Sequence, residues 1–439
     1  MKRSIFSLTG LHWKEVRSGE SVEAEFELHQ AGFVEMNTVA RSESDWRVAD
    51  YEASVLRLTL NGEYNQDCVL FYGDRALTYT RLLGALEPGT YRLRFDFNGE
   101  LSSPQVRRAF IDSVELVLIA GDSELYEIYR HAPVLYGRNL YSPHDSRYTD
   151  TPLLMFYLTE QTEDSRMIEY QIMFSHEDEG TPTPLLMSKW GRTTDIEWVY
   201  RVVLDVDGNV RNAEFQGPHH KTTAHQGRTL MGGHPVLQVA TANGMVHDDV
   251  TSAYRFLFPP VHQWRPQQEP RERVMDAYPF TYQVTAWEML RQFPIENPHT
   301  LNSFQLADLR NYLYVQTAKR TNDPKVKTSI DIQVKLKGVN GWFSGSFGDL
   351  KHGNFRCAYD GPYSQFSTTV KLPPGTSYAE IEEICAVWLP GGEEQVVVPE
   401  FKAMFLDADY LPQPAIRSAS PVTLTKEQPR QTLWQGNGR

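Results

Sequence analysis

Trp190-Gly191-Arg192-Thr193-Thr194-Asp195-Ile196-Glu197-Trp198-Val199-Tyr200-Arg201-Val202-Val203-Leu204-Asp205 is the run whose reading decides the fold, and the turn signal Asp207-Gly208 closes it. Successive side chains of a strand point to opposite faces, so alternation sorts the run at once. As a strand, it places Ile196, Trp198, Tyr200, Val202 and Leu204 on one apolar face. Asp195, Glu197 and Arg201 then share the other, with the two carboxylates about 7 Å apart at a rise of roughly 3.4 Å per residue. Histidines gather on either side: His176 before the run, then His219, His220, His225, His234 and His247 after it. Carboxylates and imidazoles converging on one sheet face are the raw material of a metal site or an acid/base site.

Outward from this run the same strand grammar recurs. Val22–Leu28 alternates, as do Val55–Leu60 before Asn61-Gly62 and Tyr91–Phe97 before Asn98-Gly99, with Val114–Ile119 closing the set. Short strands at such spacing, punctuated by Gly, Pro and Asn-Gly, predict an antiparallel β-sandwich over residues 1–121. Trp46 and Tyr51 would serve it either as core or as a platform for a sugar. A central β domain over 122–264 carries the quoted run, with further strands at Leu153–Leu158, Met167–Phe174 and Val236–Ala240. The polar, proline-broken Trp264–Arg273 segment opens a linker over 265–308, which holds one helix at Thr285–Phe293 stopped by Pro294. Ile330–Leu336, Gln395–Val398 and Met404–Leu406 predict a second sandwich over 309–412. Residues 413–439 have too little apolar content to order by themselves and read as a flexible tail. The expected fold class is therefore mainly β: three consecutive antiparallel β-sandwich-type domains with few helices.

The chain has 439 residues, 12% of them aromatic and 26 of them proline, which leans the same way. A net charge of −13 argues against nucleic acid and anionic membranes as partners, since both select basic patches. No apolar run approaches the ~18 residues that a membrane span needs. Lys2 and Arg3 carry the charge of a signal peptide, but no apolar core follows them. The expectation is a soluble protein, cytoplasmic unless a leader is removed. Cys68, Cys357 and Cys385 make no metal motif. Cys357 and Cys385 pair only if strands bring them together, and buried free thiols are the simpler expectation.

Ala132-Pro133-Val134-Leu135-Tyr136, Tyr170-Gln171-Ile172-Met173-Phe174 and the Gly191–Glu197 run together resemble two related families. One is the vacuolar-sorting-associated family, with a strand-borne Gly-Asp-Trp-Glu motif. The other is the necrosis-inducing cytolysin family, with its Gly-His-Arg-His-Asp-Trp-Glu signature. The resemblance covers residues 132–247 and extends to Gln216-Gly217-Pro218-His219-His220, Gly233-His234-Pro235-Val236 and Asn243-Gly244. It implies that Asp195 and Glu197 stand where the cytolysins hold a divalent cation against a sphingolipid head group. Glu177 or Asp178 is placed like the upstream acid of that site. Arg192 and Thr194 stand where the motif has histidines, and Ile196 replaces its tryptophan.

Asp195 and Glu197 admit three readings: solvated strand residues, ligands to Ca²⁺ or Mg²⁺ together with Glu177 and Asp178, or an acid/base pair on a sugar linkage. His219 and His220 join them as candidate catalytic groups. Trp190, Arg192, His176 and Arg201 are the candidate substrate contacts. No nucleophile elbow, P-loop, dinucleotide fingerprint or zinc spacing occurs, so no organic cofactor is expected. The expected function is glycan-directed, either a hydrolase acting on a polysaccharide or glycoconjugate, or cation-assisted binding of a glycan or glycolipid head group without chemistry.

Overall fold

The computed structural model describes residues 2–9, 14–139, 151–177, 183–292, 295–296, 305–323, 329–346, 365–389 and 392–436. The chain is mainly β, built of antiparallel sheets with few helices. It forms two compact units. Met1–Glu179 and Asp195–Gln263 make the first, Gly180–Thr194 and Trp264–Arg439 the second.

In the first unit, Ser21–Leu28 shows why strands form. Val22, Ala24, Phe26 and Leu28 are buried while Glu23, Glu25 and Glu27 are exposed, the period-two pattern of a half-buried strand. This strand lies beside Gly89–Phe97, followed by Ser54–Leu60 and Glu63–Leu70. Asn61 and Gly62, at φ 52° and 84°, close the Leu60–Glu63 hairpin in the left-handed region that two-residue turns demand. A second sheet runs in the order Lys2–Leu8, Arg108–Ala120, Gly32–Ser42, Leu77–Leu86, and Lys14–Arg17 also pairs with Arg108–Ala120. Trp46 is buried and packs edge-on against Phe71 at 6.3 Å, so it is core rather than a sugar platform.

No break in packing follows residue 121. Phe33, Leu82 and Ile119 share one apolar cluster with Tyr129, Val134, Tyr136, Val236 and Leu257. The Tyr129 hydroxyl donates to Glu35 at 2.5 Å, and Arg255 donates to the carbonyls of Tyr64 and Asn65 at 2.7 and 2.8 Å. Beyond this junction lies a six-stranded sheet, ordered Lys221–Ala224, Val210–Gly217, Ile196–Asp205, Ser165–Phe174, Pro152–Gln161, Pro260–Gln263. Its last pair is parallel.

In the second unit, Tyr312–Ala318 pairs with Gln365–Lys371 and Phe401–Met404, while Ile330–Leu336 pairs with Ile381–Trp388. Their apolar faces meet in a core that includes Leu313, Val315, Ile332, Val334, Ile384 and Phe405. The segment expected as a linker is packed. Trp264 is buried, and Phe280–Gln292 is a helix whose residues Thr281–Met289 are all buried. The tail is ordered as well: Ile416–Ser418, Val422–Thr425 and Arg430–Gln435 each join a strand of the unit, burying Leu424 and Leu433. Ile416, Val422 and Trp434 pack partly buried against the same core, and the open edges of neighbouring strands supply ladder hydrogen bonds to these segments. Cys68 and Cys385 are buried free thiols, and Cys357 lies outside the described residues. No helix among the described residues is long and apolar enough to cross a membrane.

Candidate functional site

The deciding run is not one strand. Thr183–Trp190 is a helix of the second unit, and the strand begins only at Ile196 in the first. Gly191, at φ 68°, ends the helix, and a β-carbon there would lie 2.8 Å from both Ser367 Cβ and the Thr368 nitrogen. The hydroxyls of Thr368 and Thr369 donate to the carbonyls of Ser188 and Met187, satisfying acceptors that a helix end leaves open. Trp190 is half-buried, with the Lys189 ammonium 4.8 Å from its ring. Arg192 is buried and donates to Glu272 at 2.9 Å and to the Thr194 carbonyl. Two of the candidate substrate contacts, Trp190 and Arg192, therefore belong to the second unit, and Arg192 is committed to an internal ion pair.

Asp195 and Glu197 stay in the first unit. Asp195 is 2% exposed, and a β-carbon at Gly244 would come within 2.6 Å of its Oδ2 and 2.7 Å of the Phe174 ring. Glu197 is half-buried and accepts from Gln216 Nε2, which also meets Met245 Sδ at 3.1 Å. His176 is buried and Glu177 half-buried just past Phe174, while Asp178 lies outside the described residues. His219 and His220 are exposed on the turn between Val210–Gly217 and Lys221–Ala224, both left-handed at φ 62° and 57°. Among the described residues, no three His, Cys, Asp or Glu side chains are grouped to hold a metal ion.

Register corrects the expected face. Gln171 lies opposite Trp198 but Tyr170 lies opposite Tyr200, so Val199 is bulged out of the ladder. Glu197 faces Ile172 and Arg201 faces Glu169, an odd number of residues apart on one strand, hence on opposite faces. Arg201 accordingly shares its face with Trp198, and its guanidinium lies 4.4 Å from the indole centroid. It does not share one with Glu197. The inserted residue reverses the alternation that the sequence carried through unbroken.

On this reversed face a polar cluster is assembled. Arg201 donates to Glu169 at 2.9 Å and to Glu214 at 2.7 Å, Gln171 donates to Glu169 at 2.7 Å, and Asn212 donates to Glu214 at 3.3 Å. Burial alone would lower the Arg201 pKa, but the charge and hydrogen bond of Glu169, with Glu214 adding, hold it above its ordinary value. The Gln171 side-chain Oε1 is buried with no hydrogen-bond partner among the described residues. Of this cluster the sequence singled out only Arg201. Glu169, Gln171 and Glu214 sit on neighbouring strands, and only register reveals that they meet.

No family model and no curated protein matches the sequence. Among solved structures, one similar chain is the CBM36-1 domain of a multidomain xylanase from the hindgut metagenome of Trinervitermes trinervoides. It is 16% identical with a TM-score of 0.18, over 26% of this chain and 77% of that one. A ruminal GH26 endo-beta-1,4-mannanase is 7% identical with a TM-score of 0.21, over 32% of this chain and 36% of that one. The C-terminal CBM6 of LamC, a laminarinase of Zobellia galactanivorans, is 11% identical with a TM-score of 0.17, over 26% and 98%. At these scores the likeness assigns no family, and the chain spans about a third of the mannanase it matches.

Proposed function

We propose that the protein binds a glycan without cleaving it, on the Trp198–Arg201 face of the six-stranded sheet. The observation that carries this reading is the fixed pose of Arg201, stacked on a half-buried indole and held by two carboxylates. A sugar offers a C–H face and a rim of hydroxyls. Indoles present large, rigid apolar area to the first, and planar guanidinium, amide and carboxylate groups fix the second. Here Trp198, Arg201, Asn212 and Glu214 supply both kinds of group, and all are at least partly open to solvent.

Binding is favoured over hydrolysis because glycoside cleavage needs two carboxyl groups facing the bond from either side. One of the expected pair, Asp195, is packed away against Gly244 and Phe174. A glycolipid head group presents the same chemistry as a free glycan, so both belong to one test. A glycan array, followed by product analysis of each hit, should give retention without new reducing ends. Retention should vanish in Trp198→Ala and persist in Asp195→Asn. Products in the wild type, or undiminished retention by Trp198→Ala, would overturn the reading. Running the array with calcium, magnesium or a chelator tests the expected cation at Asp195 and Glu197 separately.

A further inference from the structure

In the second unit, Gln316, Lys402 and Arg417 stand side by side across three hydrogen-bonded strands, with Lys402 directly opposite both neighbours. Residues opposite one another share a face, and like charges in that position destabilise a sheet. The three line a cavity of about 120 Å³ together with Arg273. That is several times the roughly 30 Å³ share of one water in the liquid. Asp276 accounts for part of the charge: it accepts from Lys402 Nζ at 2.5 Å and Gln316 Nε2 at 3.0 Å, with Arg273 Nη1 at 3.4 Å. Glu400 is an exposed carboxylate on the cavity lining. The Arg417 side chain makes no hydrogen bond or ion pair among the described residues, although it is the most exposed of the three cations. Burial holds the Lys402 ammonium below the ordinary lysine value; Asp276 opposes this, and the charges of Arg273 and Arg417 add to it.

We propose that this cavity is an oxyanion site, in which a carboxylate, sulfate or phosphate group binds between Arg273, Lys402 and Arg417. An anion there converts a like-charge cross-strand pair into a bridged one and gives the Arg417 guanidinium a partner, of which it has none among the described residues. The site is independent of the glycan face, since it shares no residue with it and lies in the other unit.

Sodium phosphate, sulfate and acetate would be titrated against sodium chloride at equal ionic strength, reading the thermal midpoint and binding heat of the full chain. At least one should raise the midpoint saturably, because a ligand held only by the native state stabilises by mass action. The order among the three separates a carboxylate ligand from a tetrahedral one. Arg417→Gln should weaken that affinity about tenfold or more, the scale of one lost charge-assisted hydrogen bond. Arg417→Lys should fall between, keeping the charge but losing the fork. Arg417 is exposed, so both variants should fold: in chloride Arg417→Lys should keep the wild-type midpoint, and Arg417→Gln should keep it or raise it, because one of two opposed cations is gone. The inference is overturned if no anion exceeds chloride, or if Arg417→Gln binds as tightly as wild type.

Discussion

Arg192 and Arg201 lie close together in the sequence, and both read as contacts for a substrate. Their settings are opposite. The Arg192–Glu272 pair is 5% and 8% exposed, and its guanidinium donates to Glu272 and to the Thr194 carbonyl within the second unit. Arg201 is 30% exposed, with one carboxylate deeply buried, one at 21%, and an indole beneath it. A closed pair is shut off from a ligand by its burial, whereas an open one presents a cation already held in place. Exposure of the charge, rather than its identity or position in the chain, is what distinguishes scaffold from candidate site.

The sharpest way to break this contrast is to remove one partner of the closed pair. Glu272→Gln should lower unfolding free energy by about 3–5 kcal/mol in urea, because it strands a buried guanidinium. Replacing both residues by methionine should recover most of that loss, since a buried pair often gains little over apolar packing. A single-variant cost below about 1 kcal/mol would show that water reaches Arg192, and the contrast would collapse.

The histidines repeat the comparison. His234 is fully buried, with Nδ1 donating to the Ala132 carbonyl at 2.8 Å, and burial lowers its pKa to about 4. The unfolded chain takes up that proton near the ordinary value of 6.5, so the native state is penalised as pH falls between the two. Stability attributable to His234 is intact above pH 6.5 and lost progressively down to about pH 4, on the order of 3 kcal/mol in all. Burial lowers His131 and His225 in the same direction, so the measurement is the difference between wild type and His234→Gln in urea midpoint across that window. Parallel pH profiles would mean that His234 is not held neutral by burial.

Arg201→Gln sharpens the open side of the comparison. It leaves Glu169 buried but still bonded to Gln171, so the expected loss of stability is about 1–2 kcal/mol, smaller than for Glu272→Gln. Retention on the glycan array should disappear altogether. A large stability loss with intact retention would make Arg201 a strand clamp and nothing more.

How much of this was legible follows the same physics. Ser21–Leu28 and the Asn61-Gly62 hairpin were readable because side-chain alternation and turn chemistry are local. The bulge at Val199 was not, since Trp198, Val199 and Tyr200 are all apolar and give no mark of which residue is extra. Losing that one position reversed the face assigned to Arg201. Thr183–Trp190 was missed for a different reason: eight residues with a proline near the start and no acidic first turn carry little helical signal. Its C-terminal end is held by Thr368 and Thr369, which are remote in sequence. Asp195 and Glu197 read as two positions of one long strand, whereas the strand begins at Ile196, and burial of Asp195 depends on the distant Gly244 turn.

The smallest expected effect belongs to the residues with the plainest chemical appeal. His219 and His220 are exposed, and both occupy left-handed backbone that non-glycine residues adopt only at some cost. Replacing both by alanine keeps that backbone cost and removes only solvated rings, so stability should change by no more than about 0.5 kcal/mol. Replacing both by glycine should leave stability level or raise it slightly, because glycine enters that region freely. Glycan retention should be unchanged in either double variant, as neither ring belongs to the Trp198–Arg201 face. If retention or any turnover falls tenfold in the alanine variant while the urea midpoint holds, the histidines serve the ligand after all. The exposed turn would then replace the sheet face as the site, and the acid/base reading of Asp195 and Glu197 would return with it.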